Sequence, residues 1–144
     1  MTTARDIMTP DPQCVKEGET LVDAARLMRA HDTGALPICG DDGRLVGMLT
    51  DRDIVVKCLA DGGDPATVTA GSLAEGAPVT IGADDDVREA LETMKAHQVR
   101  RLPVIDGHDL VGIISQADIA LSLSAIETGE TVEEISEGPE NGSV

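Results

Sequence analysis

Two stretches of this 144-residue chain place a hydroxyl and a carboxylate three residues apart, behind a glycine and two apolar residues. They are Gly47-Met48-Leu49-Thr50-Asp51-Arg52-Asp53 and Gly112-Ile113-Ile114-Ser115-Gln116-Ala117-Asp118. A carboxylate offers two acceptor oxygens, which suits a cis-diol, and a neighbouring hydroxyl can donate or accept. The same residue types also start helices, where Asp is favoured electrostatically and caps orphan N–H groups. Both uses stay open for Thr50, Asp53, Ser115 and Asp118. Arg100-Arg101 offers two adjacent cations that suit a phosphate, or simply offset surface acids. A protein this acidic repels anions at long range, but salt screens that repulsion over roughly 10 Å, so two close arginines can act locally.

Other reactive side chains form no catalytic pattern. His31 and His97 hold matching places, which invites a metal between them, yet no His/Cys spacing follows a metal motif. Histidines at helix ends ordinarily serve the last carbonyls. His108 sits in a turn and is expected to be exposed. Cys14 and Cys39 fall on strands that could be neighbours, so a disulfide is open if their Cα atoms come within about 7 Å. The alternative is two thiols kept reduced in a cytosol. Cys58 reads as packing. The triplets Asp41-Asp42-Gly43 and Asp84-Asp85-Asp86 lack the alternating ligands and distal Glu of a calcium loop. Phosphate-binding, serine-hydrolase and zinc-hydrolase signatures are absent from the sequence, so an enzyme is not expected.

The elements that must position these groups come in two copies. Ala4–Cys39 aligns without a gap on Ala70–Ile105, 66 residues later, and Leu45–Ile54 aligns on Leu110–Ile119. A repeat of this period is one supersecondary unit used twice, each copy covering a face the other cannot. Each opens with a helical lead-in, Ala4–Met8 or Ala70–Ala74, followed by a short strand at Gln13–Val15 or Val79–Ile81. Thr20 with Asp23 and Asp86 with Glu89 look like capping boxes. Behind them apolar residues recur at helical spacing up to His31 and His97. A hairpin follows, Ala35–Cys39 to Leu45–Leu49 and Arg101–Ile105 to Leu110–Ile114, then second helices at Asp51–Ala60 and Gln116–Leu123. The fold class is α/β (α+β-like): β-α-β-β-α twice, strands one and two parallel, strands two and three antiparallel. The expected boundaries are 4–62 and 70–125 for the repeats, 63–69 for a linker and 126–144 for an acidic tail read as disordered.

Composition bounds the partners. The formal charge is −16, from 27 acids against 11 bases, and no Lys or Arg follows Arg101. That argues against nucleic acid and against an anionic membrane surface. With 41% apolar residues but no Phe, Tyr or Trp, the core is aliphatic and a ligand base would lie between aliphatic side chains. No signal peptide or membrane span is expected, and the location reads as cytoplasmic.

The two heptapeptides, the upstream Ala35-Leu36-Pro37-Ile38 and Arg101-Leu102-Pro103-Val104, and this topology resemble a CBS (cystathionine-β-synthase-type) domain pair, or Bateman module, over about residues 4–124. The small stand-alone members are the most similar. The resemblance implies a regulatory module that binds an adenosine-containing ligand (AMP, ADP, ATP or S-adenosylmethionine) in two clefts between the repeats. By that pattern Asp53 and Asp118 take ribose hydroxyls, and Thr50 and Ser115 contact ribose or phosphate. The Asp118 cleft would add Met8, Gln13, Thr33, Ala35 and Ile113. The Asp53 cleft would add Ala74, Val79, Val99 and Met48. Arg100 and Arg101 occupy a position where the family often binds phosphate, while the first repeat has Gly34-Ala35 there. The family pattern further implies a homodimer formed through the helices and an effector protein to receive the signal. The competing class is a ligand-free dimeric stress or scaffold protein acting through its surface or cysteines.

Overall fold

The computed structural model describes residues 1–127; the acidic tail expected over 126–144 therefore lies almost wholly outside the described residues. The described chain divides into two compact units. One comprises Met1–Pro10, Thr80–Asp106 and the chain from Val111; the other comprises Asp11–Val79 with Gly107–Leu110. These units are out of phase with the sequence repeats: each lead-in is counted with the body of the other repeat.

The unit beginning at Asp11 holds a three-stranded sheet. Its strands are β2 (Val15–Lys16), β3 (Ala35–Cys39) and β4 (Leu45–Thr50), in that order. Strand β2 runs parallel to β3, and β3 antiparallel to β4. Helix α2 (Leu21–His31) starts at a complete capping box, with Asp23 N–H on Thr20 and Thr20 N–H on Asp23. It ends at Asp32 in the left-handed region, φ 51°. Val15, Leu21, Ala24, Met28, Leu36, Ile38, Leu49, Cys58 and Ala70 form its core. The other unit holds a four-stranded sheet in the order β1 (Thr9–Pro10), β7 (Asp109–Ser115), β6 (Arg101–Asp106), β5 (Ile81–Gly82). Helix α4 (Val87–His97) buries Val87, Ala90 and Met94 and ends at Gln98, φ 56°. Pro37 and Pro103 are tolerated mid-sheet because the short parallel partners reach only Ile38–Cys39 and Val104–Ile105.

The lead-ins are bonded in by matching contacts 66 residues apart. In α1 (Ala4–Ile7), Ala4 N–H donates to Asp85 O and Arg5 N–H to Ala83 O, each at 2.9 Å. In the 3₁₀ turn Ala70–Leu73, Ala70 N–H donates to Glu19 O at 2.8 Å and Gly71 N–H to Glu17 O at 2.9 Å. The stretch expected as a linker bonds to the start of α2, with Leu21 N–H on Val68 O and Val22 N–H on Pro65 O.

Several local expectations are corrected. The first strands start two residues later than read, because the parallel ladder begins only beyond Pro37 and Pro103. Asp86 caps Arg88 N–H at 2.8 Å without a reciprocal bond from Glu89, so only α2 has the full box of the two. The helix read over Asp51–Ala60 is one α-turn, α3 (Asp51–Asp53), followed by a π-helical segment Ile54–Leu59. Its counterpart α5 runs Gln116–Glu127, past the expected Leu123. The second lead-in is a 3₁₀ turn ending at Leu73, since Ala74 is extended. The extended Met8-Thr9-Pro10 stretch adds β1, a strand the repeat pattern does not announce.

Candidate functional site

Each motif sits where a sheet strand turns into a helix, and both form the same reciprocal box. Thr50 N–H donates to Asp53 Oδ2 at 2.9 Å while Asp53 N–H donates to Thr50 Oγ1 at 3.1 Å. Ser115 N–H donates to Asp118 Oδ2 and Asp118 N–H to Ser115 Oγ, both at 3.1 Å. The helix-start use of these residues is therefore realised twice. It consumes one carboxylate oxygen and holds the other, Oδ1, in a fixed direction.

The motif glycines let a lead-in cross the strand. A Cβ at Gly47 would stand 3.2 Å from Ala74 Cβ. At Gly112 it would overlap Met8 Sδ and stand 2.9 Å from Thr9 O, where β1 pairs Thr9 with Ile113 and Pro10 with Gly112. Met48, Thr50, Asp53 and Ala74 thus gather in one unit, and Met8, Ile113, Ser115 and Asp118 gather in the other.

The remaining expected site residues divide by unit. Gln13 is exposed, and Val79, Thr33 and Ala35 are half-buried, all in the unit beginning at Asp11. The Thr33 hydroxyl is engaged locally, donating to Ala35 O at 3.1 Å and accepting Ala35 N–H at 3.3 Å. Val99, Arg100 and Arg101 belong to the other unit. Arg100 O accepts Gln116 N–H at 2.8 Å, fixing the arginine pair beside the Ser115–Asp118 turn. Both arginines are exposed, and neither forms an ion pair with the described residues. The equivalent bond in the first repeat, Asp51 N–H to Gly34 O, brings a carboxylate instead: a Cβ on Gly34 would meet Asp51 Oδ2 at 2.9 Å.

Around Oδ1 the two motifs part. Lys57 Nζ lies 3.4 Å from Asp53 Oδ1 and 3.1 Å from Glu75 Oε2. Burial alone would lower the Lys57 pKa, but the Glu75 hydrogen bond and the attraction of Asp53 outweigh it and raise the pKa above its ordinary 10.5. Asp118 has Ser122 four residues on, and its Oδ1 has no polar partner among the described residues. It borders a groove of 490 Å³ between α1 and α5, with Thr2, Ile7, Leu121, Ser122 and Ala125. The groove of the other unit, 420 Å³ between α2 and the π segment, is lined by apolar residues with Arg26 and Arg29 and excludes Asp53.

Lys57 and Glu75 escape a motif-based reading. The i,i+4 spacing of Asp53 and Lys57 is a sequence signal for an ion pair. Glu75 carries none, since only the fold brings the second lead-in there. Cys14 and Cys39 are joined in a disulfide with Cα atoms 5.8 Å apart, and Cys58 is a buried free thiol.

A family model for the CBS domain matches residues 4–59 and again 70–125. The chain is 60% identical over 123 residues to Hypoxic response protein 1 of Mycobacterium tuberculosis, covering 85% of this chain and 86% of that protein. It is similar to the crystal structure of Hypoxic Response Protein I with two coordinated zinc ions, at 60% identity and a TM-score of 0.79, over 83% of this chain and 98% of that one. It is also similar to the CBS domain pair of protein MJ0100 in complex with 5′-methylthioadenosine and S-adenosyl-L-methionine, at 26% identity and a TM-score of 0.76, over 87% and 98% of the two chains. Among the described residues no group of three or more His, Cys, Asp or Glu converges. His31 and His97 end helices of different units, and Cys14 and Cys39 are bonded to each other.

Proposed function

The chain belongs to the CBS-domain family, carrying the domain twice as a Bateman module, and on that premise we propose that it is a sensor of an adenosine-containing ligand. CBS-domain proteins are generally regulatory, non-catalytic modules, and relatives of this fold are bound to adenosyl compounds. One observation carries the reading to this chain. The Asp118 carboxylate spends Oδ2 on its capping box, leaves Oδ1 unpaired among the described residues, and lines a groove. A carboxylate oxygen held by a box is a preorganised acceptor for a ribose hydroxyl, since its ordering cost is met before the ligand arrives. The arginines beside the Ser115–Asp118 turn supply charge for phosphate.

Val55, Val56 and Leu59 on the π segment and Leu121 on α5 are exposed apolar residues. They support a homodimer formed through these helices, with ligand occupancy shifting the arrangement that an effector protein reads. No helix among the described residues is long and apolar enough to cross a membrane.

Equilibrium dialysis against AMP, ADP, ATP and S-adenosylmethionine tests the proposal directly. The chain lacks Phe, Tyr and Trp, so adenine absorbance is read with little protein background. Excess adenine on the protein side, reduced on Asp118→Ala by the share that the second motif binds, is the expected result. No excess for any of the four at millimolar ligand overturns the sensor and moves the role to the surface or the cysteines.

A further inference from the structure

We propose that Lys57 is the anion-reading group of the first motif and Glu75 its built-in competitor, so that a ligand phosphate displaces the Glu75 carboxylate from the Lys57 ammonium. This rests on the nucleoside-binding reading of the Thr50–Asp53 motif and adds its specificity.

All five residues involved, Thr50, Asp53, Lys57, Ala74 and Glu75, lie in one compact unit. The three charged side chains differ in how firmly they are held. Asp53 and Lys57 are 22% and 34% exposed, whereas Glu75 is 74% exposed. Asp53 is fixed by the capping box, and Lys57 is paired with it at 3.4 Å from the turn Ile54–Leu59. That turn is π-helical, with Ala60 N–H on Val55 O at 2.9 Å, while α5 is α-helical at the equivalent residues. Such single π turns frequently accompany functional sites.

Glu75 arrives from outside the motif, directly after Ala74, the residue packed against Gly47. Its oxygen at 3.1 Å from Nζ is an anion occupying the position that a phosphate oxygen would take. Lysine binds phosphate as a point charge, and a dianionic phosphate outcompetes one carboxylate on that charge. An exposed ion pair contributes little, so exchanging Glu75 for another anion costs little. The second motif has Ser122 where Lys57 stands.

The test isolates the first motif by using the full chain carrying Asp118→Ala. Dialysis then gives the ratio of AMP to adenosine affinity. Glu75→Gln should raise that ratio about 2- to 5-fold by removing the competitor. Lys57→Gln should lower it about 10-fold, the effect of one charge-assisted hydrogen bond. An unchanged ratio in both variants overturns the inference while leaving nucleoside binding intact. If the Asp118→Ala chain binds neither ligand, the nucleoside-binding reading of the first motif fails, and this inference falls with it. Glu75→Gln alters only an exposed side chain, so it stands as the deciding variant if Lys57→Gln does not fold.

Discussion

The first and second motifs share a backbone and differ in charge. Both are strand-to-helix turns closed by a Thr/Ser–Asp box, and both have a glycine where a lead-in crosses. In the first, the free oxygen of Asp53 faces Lys57, a second carboxylate occupies that lysine, and Asp51 fills the space beside Gly34. In the second, one oxygen of Asp118 has no polar partner among the described residues, Asp118 lines a groove, and two arginines without ion pairs among those residues stand beside the turn. Duplication preserved what folding needs, while the surrounding positions separated the two electrostatically. A fold-bearing residue and a ligand-bearing residue can therefore be the same Asp, with its two oxygens divided between the tasks.

The largest expected effects are the symmetric ones. Leu49 and Ile114 occupy equivalent, fully buried positions, so Leu49→Ala and Ile114→Ala should each cost about 2–5 kcal/mol in urea unfolding. A near-zero cost at only one of them would break the structural equivalence of the two motifs.

Next comes an asymmetric effect. The Cys14–Cys39 bridge spans 25 residues, whereas Thr80 and Ile105 hold the matching positions in the second repeat. Reduction should therefore cost about 3 kcal/mol, read as a fall in melting temperature with thiol titration rising from one to three per chain. Titration of three thiols in the unreduced protein would remove the bridge from the account.

The glycines sharpen the comparison further. Gly112→Ala meets the Thr9 carbonyl as well as Met8 and should cost about 1–3 kcal/mol. Gly47→Ala meets only a neighbouring methyl at 3.2 Å and should cost less. Equal costs in thermal melts would mean that the two crossings are equally tight.

The smallest effect concerns Lys57. Its pKa is raised in the folded chain, so its contribution is fully present below the unfolded value of 10.5 and is lost as pH rises through the folded value. The stability difference between the wild type and Lys57→Met should therefore be small, under about 1 kcal/mol. It should stay flat through neutral pH and shrink only in strong alkali. A difference that closes between pH 6 and 8 would show that the lysine is not what the variant removes.

How much of this was legible follows from which interactions are local. The box at Thr50–Asp53, the cap at Thr20–Asp23 and the hairpins lie within a few residues, and their patterns predict them. The cysteine pair was legible as a possibility, because adjacent strands limit where Cys14 and Cys39 can lie. The π segment was not, since the residue types of Ile54–Leu59 do not distinguish i→i−4 from i→i−5 bonding.

By itself the sequence determined a duplicated β-α-β-β-α unit, an aliphatic core and two hydroxyl–carboxylate motifs, because periodicity and capping act over one or two turns of chain. Only the tertiary structure decided that the lead-ins pack with the opposite repeat's body, that Gly112 must clear Met8, and that Glu75 reaches Lys57. These contacts join residues far apart along the chain. Their cost is loop closure and their gain is buried surface, so neither is written in any one segment.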